Sequence, residues 1–111
     1  MELDVRVETG GGACVVTVSG EVDVYTSPTL KERLIEAIDE GCGQVIVSLD
    51  GVAFIDSSGL GVLVGCLRRV KERDGSLTIV CSRDQILKIF RITGLDKVFP
   101  IVATLDEARE S

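Results

Sequence analysis

No histidine occurs among the 111 residues. A Ser-His-Asp or Cys-His nucleophile system is therefore excluded, and so is a mixed cysteine–histidine metal site. Lysine- or carboxylate-assisted catalysis is left open, but no motif points to it. Long apolar runs are missing as well. None is long enough to span a bilayer, and Met1-Glu2-Leu3-Asp4 carries no basic-then-apolar export signal. These absences lead us to expect a protein of the cytoplasm. Positive charge is in deficit: twelve Lys and Arg stand against eighteen Asp and Glu, a net charge of −6. A duplex nucleic acid or an anionic membrane would repel that balance, so neither is an expected partner. Arg68, Arg69, Lys71 and Arg73 make one local basic cluster, at the expected end of a helix, where cations suit the dipole.

Cys14, Cys42, Cys66 and Cys81 form no C-x-x-C pair. Three of them sit inside apolar stretches. They read as small core residues in a reducing compartment, with no redox, zinc or other cofactor role.

What is present is a chain rich enough in apolar residues, 45%, to build one core. Its length predicts a single domain over 1–111. Val5 and Val7, then Cys14, Val16 and Val18, alternate with polar residues on either side of Gly10-Gly11-Gly12, which predicts a hairpin over 3–19 ended by Gly20. Residues 20–27 read as a loop. Ser27-Pro28 reads as a helix start, with Ser27 as the cap, and Leu30, Leu34, Ile35, Ala37 and Ile38 recur at helical spacing. Val45, Ile46, Val47 and Leu49 predict a short strand covered on both faces and stopped by Asp50-Gly51. A second, very apolar helix is expected from about Ser58 to Arg73. Its Gly61 and Gly65 lie on one face, where a neighbouring element is expected to pack closely. Leu77, Ile79 and Cys81 mark another strand, 83–92 another helix stopped by Thr93-Gly94, Val98 to Ile101 a short edge segment, and 106–110 a terminal helix. Strands alternating with helices imply parallel pairing through crossovers. The expected fold is α/β: a mixed β-sheet opened by a β-hairpin, with helices packed mainly on one face.

Asp56-Ser57-Ser58-Gly59 lies between a buried strand and the apolar helix. Asp56 or Ser57 can cap that helix and Gly59 can relax the turn. The same geometry suits a switch. A phosphate on a hydroxyl at a helix start is tolerated by the fold. It adds about −1.5 to −2 charge, which would alter a protein interface beside Asp56. A second loop, Gly20-Glu21-Val22-Asp23, carries two carboxylates that read either as solvated charge or as contact residues.

Gly20-Glu21-Val22-Asp23-Val24-Tyr25, followed by Phe54-Ile55-Asp56-Ser57-Ser58-Gly59-Leu60-Gly61-Val62-Leu63 and by Ile89-Phe90-Arg91-Ile92-Thr93-Gly94-Leu95, resembles the STAS-domain anti-sigma factor antagonists of bacterial sporulation and stress control. The resemblance runs from about residue 3 to about 105. It implies a STAS-like fold and no catalysis. It implies that the unphosphorylated protein binds an anti-sigma factor that is also a serine kinase, and so frees a sigma factor. The kinase would modify Ser57, with Ser58 a secondary candidate, and a metal-dependent serine phosphatase would reset the protein. Glu21, Asp23, Tyr25, Asp56, Ser58, Gly59, Leu60 and Gly61 would form the partner-binding surface. The chain would act as a monomer or weak dimer. Two other readings stand beside this one: a STAS module that only binds, as a scaffold in another signalling complex, and an enzyme with Ser57 as nucleophile, which the missing histidine disfavours.

Overall fold

The computed structural model describes residues 2–110; Met1 and Ser111, the ends of the expected domain, lie outside the described residues. Strands β1 (Leu3–Gly10) and β2 (Ala13–Val22) form an antiparallel hairpin around Gly11 and Gly12, whose φ values of 61° and 83° suit glycine. Strand β2 pairs in parallel with β3 (Gln44–Ile55), β3 with β4 (Ser76–Val80), and β4 with the short β5 (Ile101–Val102). The sheet order is β1-β2-β3-β4-β5.

Successive side chains of β3 point to opposite faces. Val45, Val47 and Leu49 enter the main core, and Ile46 enters a smaller one behind the sheet. That division explains the nearly continuous apolar run. Helices α1 (Ser27–Asp39), α2 (Ser57–Lys71) and α3 (Asp84–Thr93) cover the main face with Leu30, Leu34, Leu63, Val70 and Phe90. Helix α4 (Leu105–Glu110) lays Ala108 on the other. The mixed α/β sheet with its opening hairpin and one dominant helical face matches the sequence reading.

Several boundaries move. Strand β2 does not stop at Gly20, nor β3 at Asp50-Gly51; they stay paired as far as Val22 and Ile55. Register shifts between Thr17 and Ser19 and between Gly20 and Glu21 absorb the mismatch as bulges. Gly51 is required by close approach, because a Cβ there would lie 2.7 Å from the Ser19 Cβ. Ser27 is the first residue of α1 rather than its cap. Thr26 holds the cap position but makes no side-chain cap bond. Its hydroxyl is engaged instead with the Glu21 carbonyl (2.8 Å) and the Asp23 N–H (2.9 Å). Near the C-terminus, a 3-10 turn (Leu95–Lys97) precedes β5, and Phe99 folds in edge-on to Phe90 with ring centroids 5.9 Å apart. Gly94 ends α3 in the left-handed region, φ 76°, as its position suggested.

The cysteine reading also needs correction. Cys66 and Cys81 are free and buried, but Cys14 and Cys42 are joined as a disulfide, their Cα atoms 5.8 Å apart. The cause is the turn after α1. The Gly43 and Gln44 N–H groups both donate to the Gly12 carbonyl (3.2 and 3.4 Å), and this draws Cys42 back to the start of β2.

Candidate functional site

The parallel strands β2 and β3 end at one edge of the sheet, and the Asp56 N–H donates to the Val22 carbonyl across them (3.1 Å). The two loops singled out in the sequence are therefore neighbours. Asp56, not Ser57, caps α2. Its backbone is extended (φ −109°, ψ −173°), and its carboxylate accepts from the N–H groups of Ser58 (2.9 Å) and Gly59 (3.3 Å) and from the Ser58 hydroxyl. The Ser58 hydroxyl, above all, together with these N–H groups, holds the Asp56 carboxyl below its ordinary value.

Ser58 is thus committed to the cap. Ser57 is the first helical residue, exposed, and its hydroxyl makes no hydrogen bond among the described residues. A group added at Ser57 meets solvent, whereas one added at the Ser58 oxygen would remove that hydroxyl's bond to Asp56.

Gly59 and Leu60 are not on the surface that the resemblance suggested. Gly59 is buried, and a Cβ there would lie 2.5 Å from Val22 Cγ1 and 2.8 Å from Ile55 Cγ1. Leu60 is 7% exposed and belongs to the main core. Both seat the start of α2 against the strand ends. Gly61, by contrast, is exposed. Apart from its own helix backbone and chain neighbours, no atom of the described residues lies within 4 Å of where its Cβ would be, and the same holds for Gly65. The close packing expected at this pair is absent. Gly61 and Gly65 instead line an open groove of about 430 Å³ beside Ile35, Val62 and Cys66.

Asp23 is a loop-builder rather than a surface contact. It is 7% exposed, and Oδ1 accepts from the N–H groups of Tyr25 (2.9 Å) and Thr26 (3.0 Å). Its Oδ2 is buried without a hydrogen bond. The resulting turn lifts Val24 and Tyr25 outward; Tyr25 is 82% exposed. Glu21 is half-buried near the end of β2, opposite Phe54 on β3. Val24 and Phe54, both exposed, were not singled out as contact residues in the sequence. Only Val24 carried a signal, as an apolar residue within a polar loop; Phe54 stands two residues after the inward Val52, so simple strand alternation would place it on the same buried face. Two members of the basic cluster, Arg69 and Arg73, serve structure. Arg69 grips Asp39 at the end of α1 with two nitrogens, while Arg73 reaches Asp39 (2.9 Å) and the Ile38 carbonyl (3.1 Å).

The edge therefore presents an uncommitted serine hydroxyl, a carboxylate held below its ordinary pKa and exposed apolar side chains. Comparison with known proteins agrees with the architecture. The STAS domain family model matches residues 4–108. The anti-sigma-B factor antagonist of Bacillus subtilis is 35% identical over 103 residues, covering 93% of this chain and 94% of that protein. The crystal structure of an anti-sigma factor antagonist from Mycobacterium paratuberculosis superposes with a TM-score of 0.92 at 29% identity, covering 98% of this chain and 92% of that one. The Bacillus cell fate determinant SpoIIAA in its phosphorylated form shares the fold, with a TM-score of 0.74 at 24% identity over 96% of this chain and 97% of that one. On this combined ground, the chain belongs to the STAS-domain family of anti-sigma factor antagonists.

Proposed function

We propose that this chain is a non-catalytic, cytoplasmic phospho-switch acting as a single STAS domain. In its unphosphorylated form it binds an anti-sigma factor that is also an ATP-dependent serine kinase, and a sigma factor is released. The kinase transfers the γ-phosphoryl group of ATP to Ser57 Oγ, leaving ADP. A metal-dependent serine phosphatase removes the phosphate.

The carrying observation is the contrast between the two serines. Ser57 is exposed with its hydroxyl uncommitted, while Ser58 is tied to Asp56. The Ser58 and Gly59 N–H groups at the start of α2 already serve the Asp56 carboxylate. A phosphate on Ser57 is therefore not drawn into them and stays at the surface beside Asp56. It adds about two negative charges at neutral pH to a surface whose apolar contacts are Val24, Tyr25 and Phe54. Binding fails by charge repulsion while the fold persists. Relatives named as anti-sigma-B factor antagonists support the partner class.

The test is incubation with the cognate kinase and ATP, followed by peptide mass mapping. One phosphate should appear on Ser57, and Ser57→Ala should abolish it. Ser57→Asp should weaken anti-sigma factor binding with an unchanged far-ultraviolet circular dichroism spectrum. Phosphate mapping to Ser58 alone, or unfolding of the Ser57→Asp protein, would sink this reading.

A further inference from the structure

Cys14 opens β2 and Cys42 lies in the turn between α1 and β3, at the ends of the parallel strands remote from Ser57. Their Cα separation of 5.8 Å is within the range that a disulfide spans with no backbone movement. The two residues differ in access. Cys14 is fully buried. Cys42 is part-exposed and borders a surface recess of about 270 Å³ with Thr9, Gly10 and Glu40. The other cysteines are poor competitors. Cys66 and Cys81 are both buried, and burial pushes their thiols up, Cys66 to about 11, so neither holds much thiolate at neutral pH.

We propose that Cys42 and Cys14 form a reversible thiol–disulfide couple whose substrate is a low-molecular-weight disulfide, with Cys42 as the entry thiol and Cys14 as the resolving thiol. The Cys42 thiolate attacks one sulfur of the small disulfide. That S–S bond breaks, one small thiolate leaves and takes a proton from water, and a mixed disulfide remains on Cys42. Cys14 then gives its proton to water, as Cys42 did to become the thiolate, and its sulfur attacks the Cys42 sulfur, expelling the second small thiolate, which takes a proton from water in turn. Two protein thiols are oxidised and one small disulfide is reduced to two thiols. Excess small thiol runs the sequence backward.

In a reducing compartment the resting state is the dithiol, and disulfide stress closes the bond. Closure bridges a sequence separation of 28, bracketing most of β2, the Asp23 loop and all of α1. A loop of that size should raise the thermal midpoint by on the order of 10 °C.

The experiment uses the full chain, reduced and then equilibrated in glutathione buffers of increasing oxidised fraction. The expected result is an intact mass lower by two hydrogens and a Cys14–Cys42 linked peptide. After unfolding, only Cys66 and Cys81 should react with an alkylating agent. The thermal midpoint should rise with oxidation and return when reduced glutathione is restored. In Cys14→Ser, one glutathione should remain trapped on Cys42. Four alkylated thiols at every ratio would overturn the proposal. So would a link or adduct on Cys66 or Cys81, a bond that reduced glutathione does not reopen, or no adduct on Cys42 in Cys14→Ser. The wild-type mapping decides the pairing even if that variant does not fold.

Discussion

Asp56 and Ser57 are adjacent and equally good helix-capping types, and sequence spacing leaves the choice between them open. Backbone conformation makes it: Asp56 is extended and Ser57 is already helical. The distinction has thermodynamic consequences. Replacing Asp56 by alanine leaves the Ser58 and Gly59 N–H groups without their acceptor and should lower the thermal midpoint by roughly 4 °C at pH 7. Because the folded carboxyl titrates below its ordinary 3.8, the unfolded chain binds more protons in acid. The stabilisation is therefore fully present above that ordinary value and is lost as the pH falls through the lower folded one. Urea unfolding of wild type and Asp56→Ala should show a constant gap from pH 7 to pH 5 that narrows below about pH 4. A gap independent of pH down to 2 would mean that the carboxylate is not what caps the helix. Ser58→Ala should keep phosphorylation at Ser57, because the Ser58 hydroxyl serves the cap alone.

Helix α2 shows why a glycine pattern can be read while its cause cannot. Gly59, Gly61 and Gly65 are all visible in the sequence, but their surroundings are set by how α2 packs on the rest of the fold. Gly59 meets Val22 across the sheet edge, whereas Gly61 and Gly65 face open space. Opposite effects follow from one substitution. Gly59→Ala overpacks against Val22 and Ile55 and should destabilise by about 1–3 kcal/mol. Gly65→Ala fills no occupied space, removes a helix-weakening residue and should stabilise by up to about 1 kcal/mol. Chemical denaturation of the two variants checks both signs. Strands β2 and β3 teach the same lesson. Gly20 and Asp50-Gly51 look like stops, because local chemistry at a bulge and at a turn is similar; only the partner strand shows that pairing continues.

For the whole molecule, the alternation of strands and helices was the legible part. It predicts parallel strands, and parallel strands deliver their C-terminal loops to one edge. What the sequence leaves open is that the Gly20–Asp23 and Ser57 segments meet there, which depends on the β2–β3 pairing reaching Val22 and Ile55. The apolar side chains at that edge lie outside both cores. Tyr25→Ser combined with Phe54→Ser should leave the thermal midpoint within about 2 °C of wild type and weaken anti-sigma factor binding at least roughly tenfold, as expected when aromatic anchors are removed. Calorimetric titration beside a thermal scan separates the two effects. The sheet order has a further consequence, for synthesis. Strands stand in the sheet in the order in which they leave the ribosome. Each new strand is offered an outer edge already made by its predecessor, and none has to be inserted between two that have paired. A nascent chain of this topology can extend its sheet from one side as translation proceeds.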